Sequence, residues 1–143
     1  MTVRAWTADD LSAIEKIEAE CFKDPWCAAM WRGTFTRLDF TGVVIEENGA
    51  VVGFAGATVL FEDSELLRIA VLQSERGKGF GGKLLDILIR NAKERGAEKM
   101  FLEVRVSNTA ARNLYESRGF SVTGIRKKYY ADGEDAVGMM KTL

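Results

Sequence analysis

Residues Glu75–Leu85 read ERGKGFGGKLL. Four glycines and two lysines follow the apolar run LLRIAV (Leu66–Val71) and precede a long helical pattern. A glycine-rich turn from strand to helix is built to hold phosphate. The first N–H groups of a helix lack partners, the helix dipole favours negative charge there, and glycine lets the backbone come close. Two phosphate patterns overlap in this stretch. Gly77–Leu84 nearly matches GxxxxGK[ST], which requires a hydroxyl after the lysine to ligate Mg²⁺. That position is Leu84, on the apolar stripe of the helix, and no apolar strand elsewhere ends in an obvious Walker-B aspartate. The nucleoside-triphosphate reading therefore ranks last, and Mg²⁺-dependent nucleotide binding would be needed to revive it. Arg76–Gly81 also reads R-x-x-G-x-G, and this second pattern is intact.

The totals narrow the chemistry. At 143 residues the chain suits one domain, 1–143, with a real core. Net charge is −1, which argues against a broad nucleic-acid footprint. No apolar run reaches the ~18 residues of a membrane span. The start, MTVRAWTADD, does not read as a signal peptide, so a cytoplasmic location is expected. There is no histidine, which removes Ser-His-Asp and Cys-His hydrolysis and the HExxH metal site. Cys21 and Cys27 fit no common zinc spacing and are read as packing residues; no metal is expected.

Periodicity supplies the elements. VRAW reads as a first strand, and Thr7 with Asp10 three residues on marks a helix start for Leu11, Ile14, Ile17 and Cys21. DPW (Asp24–Trp26) breaks the chain before a less regular helix to about Arg37. Two β-rich runs joined at Asn48-Gly49 signal a hairpin, and SELLRIAV is a third strong strand. Phe80, Leu84, Leu88 and Ala92 place an amphipathic helix over Phe80–Arg95. KMFLEVRV is a strand and NTAARNLYESR a helix closed by Gly119. FSVTGIRKKYY and DAVGMMKTL finish as strands around Asp132-Gly133. The order implies an α/β (α+β) sheet covered by helices on both faces.

Four segments then recur in order: DPW, LLRIAVLQSERGKGFGGKLL, LEVRVSNTAARNLYESRGF and KKYYADGEDAVGMM. Together they resemble the GNAT superfamily of N-acetyltransferases, and within it the branch that acetylates ribosomal-protein alanine, the RimI-type enzymes. The resemblance spans essentially the whole chain and is densest from Leu66 to Met139. One departure is Val71-Leu72-Gln73 where the family has V-x-P, which costs turn rigidity but no ligand. The resemblance implies the GNAT fold, a mixed sheet of about six to seven strands with about four helices on both faces. It implies acetyl-CoA as cosubstrate and its pyrophosphate as the anion at Arg76, Gly77, Lys78, Gly79, Phe80, Gly81 and Gly82. Ile69, Ala70 and Val71 would pair through their backbone with the pantetheine arm, and Asn108 would hold the cofactor as well as cap its helix.

By the same resemblance Glu103 is the general base and Tyr115 the general acid, while Trp26, Tyr129 and Tyr130 shape the peptide entrance. Read from the residues alone, the solvated strand position is the favoured reading of Glu103, and core packing is at least as good a reading of the aromatics. Glu134 and Asp135 sit by the same mouth, suited to a cationic N-terminus or to a solvated turn. The proton chemistry is reasonable. An α-amine has a pKa of ~8 against ~10.4 for lysine, and a phenol near ~10 faces a thiol near ~8.5. The expected function is direct acetyl transfer from acetyl-CoA to a protein N-terminus, with the alanine of a small-subunit ribosomal protein as acceptor. The expected chain is a monomer that engages neither nucleic acid nor membrane. Acetylation of lysine or a small amine, and a non-catalytic acetyl-CoA-binding module, remain the alternatives.

Overall fold

One hydrogen-bonded ladder runs across the whole molecule in the computed structural model, which describes residues 1–143. Its strands are β1 (Thr2–Ala5), β2 (Phe40–Glu47), β3 (Ala50–Leu60), β4 (Asp63–Val71), β5 (Lys99–Arg105), β6 (Ser121–Arg126) and β7 (Ala136–Thr142). Their order in space is β1-β2-β3-β4-β5-β7-β6. The first four form an antiparallel meander, and β5, β7 and β6 are antiparallel among themselves. Only β4 and β5 run parallel. Four helices complete the chain: α1 (Leu11–Cys21), α2 (Ala28–Phe35), α3 (Phe80–Glu94) and α4 (Thr109–Ser117). This is the mixed α/β architecture expected, with seven strands and four helices.

Alternation along β2 sorts the helices onto two faces. Val43 and Ile45 join Leu84, Leu85 and Leu88 of α3 and Tyr115 of α4 in one core. Val44, between them, joins Ile14 and Ile17 of α1 and Trp31 of α2 in the other. The second core is aromatic: Trp6 stacks on Phe40 at 4.9 Å and meets Trp31 edge-on at 5.3 Å.

Local signals behave as their chemistry requires. Asn48 and Gly49 take φ of 53° and 80°, the left-handed pair of a tight hairpin. The Thr7 N–H donates to Asp10 Oδ2 at 2.7 Å, closing a short 3₁₀ turn before α1. Two expectations need correction. The strand expected to reach Tyr130 ends at Arg126, because Asp135 accepts from the Lys128 N–H and from Lys127 Nζ, and Lys128 turns to φ 51°. Cys27 is exposed beside α2 rather than packed, whereas Cys21 is half-buried.

Candidate active site

The parallel pair β4–β5 holds together over three registers only: Asp63 with Lys99, Ser64 with Met100 and Glu65 with Phe101. Beyond them β4 stays bonded to β3 through Val71, and β5 to β7 through Arg105, but not to each other. An extra residue, Leu67, bulges from β4 where the gap opens, since Leu66 pairs with Ala57 and Arg68 with Gly56. The two strands part as a V. A cleft of about 520 Å³ lies along it, lined by Ile69, Ala70, Val71, Arg76, Gly77, Gly79, Phe80, Gly81, Gly82, Asn108 and Tyr115. A smaller cavity of about 310 Å³ adjoins it and is lined by Arg68, Glu103, Arg105 and Tyr130. Tyr115, Asn108, Ile69 and Cys21 belong to both.

The phosphate end is set by backbone. Gly77 and Gly79 have φ of 82° and 79°, with open space where a Cβ would stand, so conformation is what demands glycine there. The first backbone bond of α3 runs from the Lys83 N–H to the Gly79 carbonyl. None of the amides from Gly77 to Gly82 donates within the chain. They form a row of free donors at the N-terminus of a 15-residue helix, and an elongated anion fits it. Arg76 turns to the strand side instead: its Nε donates to the Val71 carbonyl at 3.1 Å and its Nη2 to Cys21 Sγ at 3.4 Å. Burial pushes the Cys21 thiol up, against the opposing hydrogen bond from Arg76. Lys78 is exposed, pairs with Glu75 at 2.6 Å and lines neither cavity. Asn108 Oδ1 accepts from the Ala111 N–H at 3.1 Å and caps α4.

Two titratable groups flank the V. Tyr115 is 5% exposed, and its ring meets Phe120 edge-on at 5.8 Å. Burial, with a smaller push from Tyr130, raises the phenol well above its ordinary value, so it is protonated through the neutral range. Glu103 lies on the opposite side of β5 from Leu102 and Val104, which are buried in the α3–α4 core. One of its oxygens, Oε1, forms an ion pair with Arg126, 3.1 Å from Nε. The other, Oε2, is buried and has no partner.

Around the smaller cavity the carboxylates are already engaged. Glu134 takes Arg105 Nη1 and the Ser107 N–H, both at 2.9 Å, and Asp135 takes Lys127 and Lys128. These are neither free acids at the mouth nor a merely solvated turn. Tyr130 lies under the Arg105 guanidinium at 4.1 Å, whereas Tyr129 is exposed. Trp26 lines neither cavity: its ring packs on Trp31 at 4.5 Å, and its backbone N–H donates to Glu18 Oε2 at 2.8 Å. Sequence reasoning passed over Glu18, Arg68 and Arg105. Glu18 is fully buried on α1 and pairs with Arg68 of β4 at 3.0 Å. A glutamate on the apolar stripe beside Ile14 and Ile17 was the available signal.

Comparison with known proteins agrees with this geometry. Residues 11–120 match the model of the acetyltransferase (GNAT) family. The ribosomal protein bS18-alanine N-acetyltransferase of Escherichia coli K12 is 35% identical over 141 residues, covering 96% of this chain and 95% of that protein. The crystal structure of the E. coli ribosomal-protein-S18-alanine N-acetyltransferase superposes with a TM-score of 0.91 at 34% identity, covering 99% of this chain and 92% of that one. Ard1 from Thermoplasma volcanium superposes with a TM-score of 0.92 at 25% identity, over 99% and 97% of the two chains.

Proposed function

The chain belongs to the acetyltransferase (GNAT) family and is an acetyl-CoA-dependent N-acetyltransferase, and from that premise we propose that it acetylates the α-amine of a protein N-terminus, with a ribosomal-protein alanine as acceptor. The near-full-length similarity to an alanine N-acetyltransferase supports the acceptor class. The observation that carries the chemistry is the position of Tyr115 on both cavities, with Glu103 opening onto the smaller one.

Acetyl-CoA supplies an acetyl group held as a thioester, so the accepting amine must lose a proton and the sulfur must gain one. The free amides of Gly77–Gly82 would hold its pyrophosphate, joined by Arg76 through Nη1, the one arm that its contacts to Val71 and Cys21 leave free. The unpaired edge of Ile69–Val71 would hold its arm, and any N–H of that edge aimed at the carbonyl oxygen would stabilise developing charge by about 3 kcal/mol. Asn108 would reach the arm from the head of α4 while its Oδ1 stays in the cap. Glu103 would take the amine's proton on Oε2, directly or through water, since Oε1 is held by Arg126. An α-amine near pKa ~8 asks less of a carboxylate than a lysine near ~10.4. Tyr115 would donate its O–H to the departing sulfur. Because burial raises its pKa, the phenol would act as a held donor whose proton follows the charge as it builds. Trp26 would contribute by holding the α1–α2 turn, and Tyr129 and Tyr130 by walling the acceptor side.

The test uses acetyl-CoA with three acceptors: a peptide with a free N-terminal alanine, the same peptide blocked and carrying an internal lysine, and a polyamine. Mass spectrometry locates the acetyl group. Acetylation confined to the free α-amine is expected. Transfer only to lysine or polyamine would keep the enzyme and overturn the acceptor. Binding of acetyl-CoA without transfer to any of them would return the non-catalytic reading.

A further inference from the structure

Arg105 follows Glu103 by two residues on β5 and so stands on the same face. Both terminal nitrogens of its guanidinium are engaged. Nη1 donates to both oxygens of Asp132, at 3.0 and 2.9 Å, and to Glu134 Oε1 at 2.9 Å. Nη2 donates to Asp24 Oδ1 at 3.1 Å, and the plane covers the ring of Tyr130. Asp24 belongs to the α1–α2 loop, whereas Tyr130, Asp132 and Glu134 belong to the β6–β7 loop. No backbone hydrogen bond joins these loops. The one other ion pair between them is Lys23 with Asp132, exposed and at 3.9 Å. Asp24 is held from both sides of the V: its carbonyl accepts from Arg68 of β4 at 3.2 Å and its carboxylate from Arg105 of β5.

We propose that Arg105 is a positioning residue that sets affinity for the acceptor by fastening the α1–α2 and β6–β7 loops over the smaller cavity. The proposal rests on the reading of that cavity as the acceptor side. Three carboxylates converge on one planar cation that is only 17% exposed. A guanidinium can serve several oxygens in its plane, while an ammonium is a point charge on a flexible stem. Without the cation, three like charges face one another across the mouth, and their repulsion drives the loops apart. The acetyl-CoA cleft does not include Arg105, so donor binding is independent of it.

The experiment compares Arg105→Ala, Arg105→Lys and Asp24→Asn with the unaltered enzyme in steady-state acetylation of an N-terminal alanine peptide. Hydrogen exchange of residues 22–26 and 129–135 is followed in parallel. Arg105→Ala should raise the peptide KM about tenfold with the acetyl-CoA KM held within about twofold. Arg105→Lys should restore part of the loss, and Asp24→Asn should give a smaller rise. Both loop segments should exchange faster in Arg105→Ala while α3 stays protected. An unchanged peptide KM would overturn the proposal, as would a parallel rise in both KM values, the mark of general loosening. If the unaltered enzyme modifies no peptide N-terminus, it is the acceptor reading that fails. The fastening is then judged by exchange alone, and loops unmoved in Arg105→Ala would sink it.

Discussion

Glu103 and Arg126 meet over a glycine. Arg126 sits on β6 and Glu103 on β5, with β7 between them, and Gly138 of β7 is the register partner of Glu103. Arg126 is paired with Ala136, so it reaches Glu103 diagonally at 3.1 Å, past the bare Gly138. A Cβ there would stand 3.6 Å from the free Glu103 Oε2 and 3.1 Å from Thr123 Oγ1. One oxygen is thereby oriented and the other left unpaired, an arrangement suited to a base that must accept a proton.

Glu103→Gln keeps the shape and removes the basic oxygen. The kcat for peptide acetylation should fall about a hundredfold, the scale of general-base catalysis. Acetyl-CoA affinity, measured by calorimetry, should stay within about twofold. A correctly folded Glu103→Gln enzyme turning over at the normal rate would remove Glu103 from the chemistry.

Tyr115→Phe deletes a hydroxyl that has no hydrogen-bond partner inside the chain, so stability at neutral pH should change by less than about 1 kcal/mol. Turnover should drop at least tenfold with acetyl-CoA affinity retained, if the O–H serves the leaving sulfur. The phenol's raised pKa also has a sign in stability. Below ~10 both states hold the proton; above it the unfolded chain loses it first, and stability falls as pH rises toward the folded value. Alkaline denaturation of Tyr115→Phe should therefore be shallower than that of the unaltered chain.

Gly79→Ala tests the phosphate turn without filling it. Its Cβ meets nothing, so the cost is conformational, about 1–2 kcal/mol for a left-handed alanine. The expected result is a weaker acetyl-CoA affinity with kcat at saturation preserved. A change in kcat alone, with affinity intact, would mean that the turn does not bind the donor.

Glu18→Ala removes one partner of the buried pair with Arg68 and strips the Trp26 N–H of its acceptor. The loss of such a partner costs about 3–5 kcal/mol. Urea unfolding should register it, and a loss below about 1 kcal/mol would show that Arg68 is compensated elsewhere.

Much of this could be read in the sequence because the signals were local. Asn48-Gly49 selects its turn, Asn108 caps α4, and the spacing from Phe80 to Ala92 writes the buried stripe of α3. The R-x-x-G-x-G run marked the row of free amides for the same reason. What escaped was long-range. The parting of β4 from β5 depends on pairings between residues 63–65 and 99–101, which no window contains. The Arg105 junction gathers Asp24 and Glu134 from opposite ends of the chain. For Trp26 the sequence leaves packing and the peptide entrance both open, and the contact with Trp31 that sets its ring is between side chains that no local pattern links.

The short β4–β5 register also bears on how the molecule assembles. Within the meander β2–β3 and β3–β4 join over tight turns and close quickly, whereas β1 reaches β2 across α1 and α2. Three strands, β5, β7 and β6, make a second antiparallel unit, and the two are bonded through three residue pairs across the α3 crossover. Those pairs close a loop of more than thirty residues and are the fewest at any strand boundary of the sheet. The hinge of the V therefore hangs on fewer pairs than any other boundary in the sheet, and the width of the cleft beyond it depends on those three.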